Sequence, residues 1–321
     1  MSKLVKPTKQ LRGTLYPPAD KSISHRAAIL NSLASGEAII ENFSDGYDCS
    51  STLECLNLLG VTTNKIHSIN GDTETTTLSI KSPGLQNFME PENVMDCGNS
   101  GTTMRFIMGL LAAVPFMATV NGDASLRSRP MGRIVKPLSL MGAHIIGRSA
   151  NSLAPLAIQG TQLKGIDYEL PVASAQLKSS LLIAGIHADS ETTLHQPALS
   201  RDHTERMLTA MGANISNDGF DITVTPGKSL HQVNMTVPGD VSAASFWIIA
   251  AAAHSDADIT LSNVGMNQSR TAVINILKDM GANITIDNER TQGGEPTADL
   301  IVHSSTLEGV RIAGDVIPIV Q

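Results

Sequence analysis

Four stretches of this chain are apolar nearly all the way round a helical wheel, and small polar residues lead into each. They read "DKSISHRAAILNSLA" (20–34), "GNSGTTMRFIMGLLAAV" (98–114), "SAQLKSSLLIAGI" (174–186) and "GDVSAASFWIIAAAA" (239–253). A helix with no polar face belongs inside a core, so all four are expected to be buried. A β-type run follows each one: "EAIIENF", "MATVNG", "ETTLHQP" and "DITLSNV". Next comes a polar loop and a second helix that stops on a glycine, at Gly60, Gly142, Gly212 and Gly281. Glycine there predicts a left-handed C-terminal cap. Those glycines lie 82, 70 and 69 residues apart, so one unit recurs four times along the chain. With further strands in "TTTLSIKS" and "FDITVTP", the unit reads βαβαββ and the fold class α/β.

Charge sits oddly on this pattern. Lys21, His25 and Arg26 crowd into the first turns of the first buried helix. A helix N-terminus carries about half a positive charge and favours anions by roughly 0.3–1 kcal/mol. Cations placed there imply an anionic partner. The Ser, Thr and Gly residues that open each buried helix fit N-cap chemistry, and the backbone N–H groups beside them can cradle an anion. Taken singly, each start is also what a capped core helix looks like. If the repeats pack symmetrically, several starts converge and make a positive well in an acidic protein.

The remaining cations support that reading. Arg105 lies just inside the second buried helix, and Arg127, Arg129 and Arg133 lie in "DASLRSRPMGRIVKP". Arg201 lies in "ALSRDHTERM" and Arg270 in "MNQSRTAV". Arginine clamps carboxylate or phosphate with two N–H groups, and lysine supplies a point charge. For Arg133, Arg148 and Arg206 a solvated face or surface ion pair is the simpler account. In "SAQLK", Ser174 reads as an N-cap and Gln176 as a side chain able to reach a ligand; "GNSGTT" lets backbone approach closely at its glycines.

Length and composition then narrow the classes. A chain of 321 residues suits two domains. The net charge of −7 argues against a nucleic-acid binder, so the cationic site must be local. Three cysteines without a C-x-x-C suggest neither a disulfide scaffold nor a zinc ribbon, and a reducing compartment. "MSKLVKPTKQLRG" is not a secretory signal, and Phe106–Val120, interrupted by Pro115, is too short to span a bilayer. A soluble cytoplasmic protein is expected. "TPGKS" (225–229) imitates a P-loop but has Ile222 at the first glycine position. Asp202, His203 and Glu205 in "RDHTE" lack metal-site spacing, and Cys97 reads as buried rather than nucleophilic. The chain stops on the apolar run "RIAGDVIPIVQ", partway through a further unit, which suggests a C-terminally truncated sequence.

Taken together, "ADKSISHR", "GNSGTTMR", "GDASLRSRPMGR", "SAQLKSSLLIAG", "SRDHTERML", "VPGDVSAASF", "MNQSRT" and "GGEPTADLIV" resemble the signatures of the 5-enolpyruvylshikimate-3-phosphate synthase family, in order and over essentially the whole chain. Ala19 stands where that family often has glycine. The resemblance implies a two-domain inverse α/β barrel of six βαβαββ units, four of them present. Residues 16–229 would form the first domain, and 1–15 with 230–321 the incomplete second. It implies a transferase that moves the enolpyruvyl group of phosphoenolpyruvate to the 5-hydroxyl of shikimate 3-phosphate and releases phosphate, without metal or organic cofactor. Carried over by motif, Lys21 would touch both substrates and assist protonation. Ser22, Arg26, Ser174, Ala175, Gln176 and Arg201 would bind shikimate 3-phosphate. Gly101 and Arg129, with Gln176, would border phosphoenolpyruvate, and Asn99 and Thr102 would shape the turn. A methyl at Gly101 would crowd phosphoenolpyruvate and analogues such as glyphosate. The family's catalytic Asp would fall immediately after Gln321. A monomer with no nucleic-acid or membrane partner is implied. The alternatives are a non-catalytic anion-binding fragment, or the sister transferase acting on UDP-N-acetylglucosamine, whose usual cysteine is absent from residues 121–134.

Overall fold

The computed structural model describes residues 8–70 and 73–313. Most of the terminal apolar run, from residue 314 onward, lies outside the described residues. The chain divides into two compact units, one of Lys21–Val237 and one of Met1–Asp20 with Pro238–Gln321.

The strands are β1 (Leu11–Leu15), β2 (Ser35–Glu41), β3 (Thr62–Asn70), β4 (Thr73–Pro83), β5 (Met95–Asp96), β6 (Met117–Asn121), β7 (His144–Gly147) and β8 (Leu153–Gln159). They continue as β9 (Asp167–Glu169), β10 (Thr192–His195), β11 (Asn214–Asp218), β12 (Asp221–Thr225), β13 (Met235–Thr236), β14 (Ala257–Gly265), β15 (Asn283–Gln292) and β16 (Glu295–His303). The helices are α1 (Lys21–Leu33), α2 (Tyr47–Leu58), α3 (Gly101–Leu111), α4 (Gly132–Leu140), α6 (Ala175–Gly185), α7 (His203–Ala210), α8 (Val241–Ala253) and α9 (Ala272–Asp279). Between α4 and α6, α5 (Arg148–Asn151) is a single turn in which Ser149 and Ala150 have φ of 50° and 51°.

Among the described residues, four sheets of four strands share one topology, in the orders β13-β2-β4-β3, β5-β6-β8-β7, β9-β10-β12-β11 and β1-β14-β16-β15. In each the first pair is parallel and the other two are antiparallel. The second helix of every repeat ends as its glycine predicts, with φ of 88°, 113°, 93° and 94° at Gly60, Gly142, Gly212 and Gly281.

Two leading strands are exchanged relative to chain order. β1 precedes the first repeat but pairs with β14 of the fourth, Leu11 opposite Ala257. β13 precedes the fourth but pairs with β2 of the first, Met235 opposite Ile40. Side chains fix the second exchange. Asn31 Oδ1 accepts from Val233 N at 2.8 Å, Asn234 Oδ1 from Ile39 N at 2.8 Å, and Asn42 Nδ2 donates to the Val237 carbonyl at 2.7 Å. In the unit containing β1, Arg270 reaches Asp20 at 3.1 Å and Asp240 at 2.8 Å. The Asp20 N–H donates to the Pro238 carbonyl at 2.8 Å, and Asp240 N to that of Pro18 at 2.8 Å.

Three of the four apolar helices are buried as expected: α1 from Ile23 to Leu33, and α3 and α6 along almost their whole length. Each enclosed Leu or Ile contributes about 1.5–3 kcal/mol. Glycine lets α3 and α6 pack backbone to backbone: a Cβ on Gly109 would lie 2.3 Å from the Ser180 carbonyl oxygen. α8 departs from expectation. Only Val241, Ala244, Ile248, Ala251 and Ala252 are buried, and Phe246 is 77% exposed. An all-apolar helix needs neighbours on every side, and among the described residues α8 is covered on one face.

Candidate active site

Within the Lys21–Val237 unit the starts of α1, α3 and α6 come to one end. Ser100 caps α3 by accepting from Thr103 N at 3.1 Å, and Ser174 caps α6 by accepting from Leu177 N at 3.4 Å. Gln176, in the first turn of α6, ties that turn to the first turn of α3. Its Oε1 accepts from Arg105 Nη1 at 2.5 Å, and its Nε2 donates to Thr102 Oγ1 at 2.8 Å. Arg26 links α1 to α6, donating from Nη1 to the Ser22 carbonyl at 2.9 Å and from Nη2 to Ser179 Oγ at 3.0 Å. Asp48, near the start of α2, completes the ring. Its carboxylate pairs with Lys21 Nζ at 3.0 Å, and its carbonyl accepts from Thr103 Oγ1 at 3.3 Å. The helix dipoles therefore add at one end instead of cancelling.

A buried hydroxyl relay supports this arrangement from below. His25 Nδ1 lies 2.7 Å from Thr52 Oγ1, which lies 2.7 Å from Thr103 Oγ1, which lies 2.7 Å from Ser100 Oγ. His25, a cation candidate by its position, is a wholly buried core residue that helps hold the α3 cap.

The other cations differ in exposure. Lys21 is exposed and Arg26 only 3% exposed. Arg105 is enclosed by its neighbours; burial, then the charges of Arg133 and Arg129, pull its pKa down to about 10. Arg129 donates to Asn99 Oδ1, and Asn99 Nδ2 donates to Asp123 Oδ2 at 2.6 Å. That bond, with a backbone N–H from Leu126, holds the Asp123 carboxyl below its usual range. Gly101 leaves room for the two guanidiniums: a Cβ there would lie 2.8 Å from Arg105 Nη1 and 3.4 Å from Arg129 Nη1.

The structure thus links Lys21 through Asp48 to Thr103, Arg26 to Ser22 and Ser179, Gln176 to Thr102 and Arg105, and Arg129 to Asn99 beside Gly101, while Ser174 caps α6. Ala175 opens α6 and accepts from Ser179 Oγ at 2.6 Å. Arg201 is half-buried in the loop before α7, next to Ser200, whose carbonyl accepts from Lys178 Nζ at 3.3 Å. Arg105 takes part through Gln176, although the family motifs gave it no role. Its place just inside the second buried helix had marked it among the candidate cations. Arg206 forms an i, i+4 pair with Asp202 at 2.8 Å, as a surface reading expects.

Comparison with known proteins decides the family. A sequence profile of EPSP synthase (3-phosphoshikimate 1-carboxyvinyltransferase) matches residues 5–320. The chain belongs to the EPSP synthase family. It is 48% identical over 318 residues to the 3-phosphoshikimate 1-carboxyvinyltransferase of Syntrophomonas wolfei, covering 99% of this chain and 72% of that protein. It is 49% identical over 311 residues to the protein of the same name from Acaryochloris marina, covering 96% and 68%. A solved EPSP synthase structure from Acinetobacter baumannii superposes with a TM-score of 0.89 at 41% identity, covering 98% of this chain and 69% of that one. The mixed α/β architecture is therefore the family's own. Among the described residues no helix is long and apolar enough to cross a membrane.

Proposed function

We propose that the chain performs its family's reaction, transfer of the enolpyruvyl group of phosphoenolpyruvate to the 5-hydroxyl of shikimate 3-phosphate with release of phosphate. The observation that carries this reading is the convergence of three helix starts on Lys21, Arg26, Arg105 and Arg129. Two substrates that each carry a phosphate and a carboxylate need such a field. A preorganised one stabilises the charge that builds up during addition and elimination without reorienting water.

In this reading Ser22, Arg26, Ser174, Ala175, Gln176 and Arg201 hold shikimate 3-phosphate. Asn99, Gly101, Thr102, Arg129 and Gln176 border phosphoenolpyruvate. Lys21, exposed at the first turn of α1 and paired with Asp48, lies against both substrates and serves proton transfer to the enolpyruvyl carbon. Gln176 bridges the two groups of residues, so it orders both ligands. For the domain organisation we propose three repeats in residues 16–229 and the start of a second domain in 1–15 and 230–321. A cytoplasmic monomer acting on small molecules, without nucleic-acid or membrane partners, completes the reading.

Calorimetry with shikimate 3-phosphate tests it. Arg26→Ala should weaken binding by about 1.5–3 kcal/mol, the worth of a hydrogen bond to a charged group. Equal affinity for the variant and the parent chain would remove Arg26 from the site. Phosphate release from the two substrates together, absent with either alone, tests the reaction.

A further inference from the structure

The stretch "SRDHTERML" offers Asp202, His203 and Glu205, residue types that bind metals, yet among the described residues no three such groups are placed to hold an ion. These side chains have another use. His203, Thr204 and Glu205, the first turn of α7, are 1%, 0% and 4% exposed. Glu205 Oε1 lies 2.6 Å from Lys178 Nζ on α6. Thr204 Oγ1 accepts from Arg26 Nε on α1 at 2.7 Å and lies 2.6 Å from Ser179 Oγ on α6.

The hydroxyl protons have one consistent assignment. Ser179 Oγ lies 2.6 Å from the Ala175 carbonyl, which can only accept, so the Ser179 proton goes there. Ser179 Oγ is then an acceptor, from Arg26 Nη2 at 3.0 Å and from the Thr204 hydroxyl. Thr204 accordingly accepts from Arg26 and donates to Ser179. With the Ser22 carbonyl taking Nη1, each nitrogen of the Arg26 guanidinium has an oxygen partner within α1, α6 or α7. The Phe106 ring centroid lies 4.8 Å from the guanidinium carbon and restrains the group from its face. These three oxygens are neutral, so they orient the guanidinium without themselves cancelling its charge.

We propose that Thr204, acting with Ser179, is a positioning residue for Arg26. The pair sets the plane of the guanidinium that meets shikimate 3-phosphate. The proposal rests on the reading of Arg26 as a ligand of that substrate. Replacing Thr204 by valine keeps the shape and removes both the acceptor for Nε and the donor to Ser179. Serine keeps both.

A double-mutant cycle read by calorimetry with shikimate 3-phosphate on the full chain separates this role from a merely structural one. Thr204→Val is expected to weaken binding about tenfold in the parent chain, the scale of a misplaced contact group. In an Arg26→Ala background the same change should alter binding by less than about twofold. Thr204→Ser should restore affinity to within about twofold of the parent. Equal losses from Thr204→Val in both backgrounds would show that Thr204 acts apart from Arg26 and would overturn the proposal. So would parent-like affinity of Thr204→Val. If Arg26→Ala itself binds like the parent, the substrate reading fails first and the positioning role goes with it. Should Thr204→Val not fold, Ser179→Ala takes its place in the same cycle with the same expected pattern.

Discussion

Gly109→Ala offers a test in which two well-founded rules predict opposite signs. In an exposed helix interior, alanine is better than glycine by about 1 kcal/mol. Gly109 lies instead in α3 where it crosses α6, and an added Cβ would lie 2.3 Å from the Ser180 carbonyl oxygen, 2.8 Å from Ser180 Oγ and 3.0 Å from its carbonyl carbon. The first distance is about 1 Å short of ordinary contact between such atoms. Backbone cannot rotate aside as a flexible side chain can, so the helices must separate or bend. Overpacking of this kind costs about 1–3 kcal/mol, and separation also strains the bond from Ser180 Oγ to the Arg105 carbonyl, now 2.8 Å. The net expectation is a destabilised chain, by up to about 2 kcal/mol after the propensity gain. Thermal unfolding followed by circular dichroism measures it. The same separation draws Gln176 away from Thr102 and Arg105, so binding of shikimate 3-phosphate should weaken well below the melting temperature. A variant as stable as the parent or more so, with unchanged affinity, would refute the account of the α3–α6 crossing.

Two further perturbations follow from buried ionisable groups. Lys178→Met leaves the Glu205 carboxylate enclosed without the cation now 2.6 Å away, and should cost about 3–5 kcal/mol by urea denaturation; Lys178→Met with Glu205→Leu should recover most of the loss. Burial pulls the His187 pKa from 6.5 down to about 4, and its Nε2 is enclosed with no hydrogen-bond partner among the described residues. The folded state therefore binds this proton less readily than the unfolded chain. Stability is complete above pH 6.5 and falls as pH drops toward 4, by about 2 kcal/mol between pH 7 and pH 5. His187→Gln should flatten that part of the pH–stability curve, and an unchanged slope would assign it to other groups.

What could be read in the sequence was whatever is encoded within one repeat. The glycine caps, the apolar helices and the β runs depend on a residue's near neighbours, and they stand where the pattern put them. The exchange of β1 and β13 could not be read that way. Nothing within "LRGTL" names the repeat it leads, and its rival's place is held by contacts between residues 31–42 and 232–237, far apart in the chain, among them those of Asn31, Asn42, Gln232 and Asn234 and the bond from Thr236 to Glu41. The exposed face of α8 was hidden for a related reason: apolarity reports what a helix needs, not which neighbours are present to cover it.

The site shows the same division. Cations at the start of α1 raise the expectation of an anion, because dipole and charge are local. The burial of Arg26 did not follow from sequence, since the hydroxyls that receive it lie 153 and 178 residues further along. That distance separates two kinds of cation within about one and a half turns of helix. Lys21 meets a carboxylate, and its charge is partly answered before any ligand arrives. The contacts that Arg26 makes with Ser22, Ser179 and Thr204 fix its direction and leave its charge unanswered by those partners. A helix start built this way sets one cation against a carboxylate and directs the other with the oxygens of Ser22, Ser179 and Thr204. Under the roles proposed above, this division suits Arg26 to anchor a phosphate-bearing ligand and Lys21 to exchange a proton.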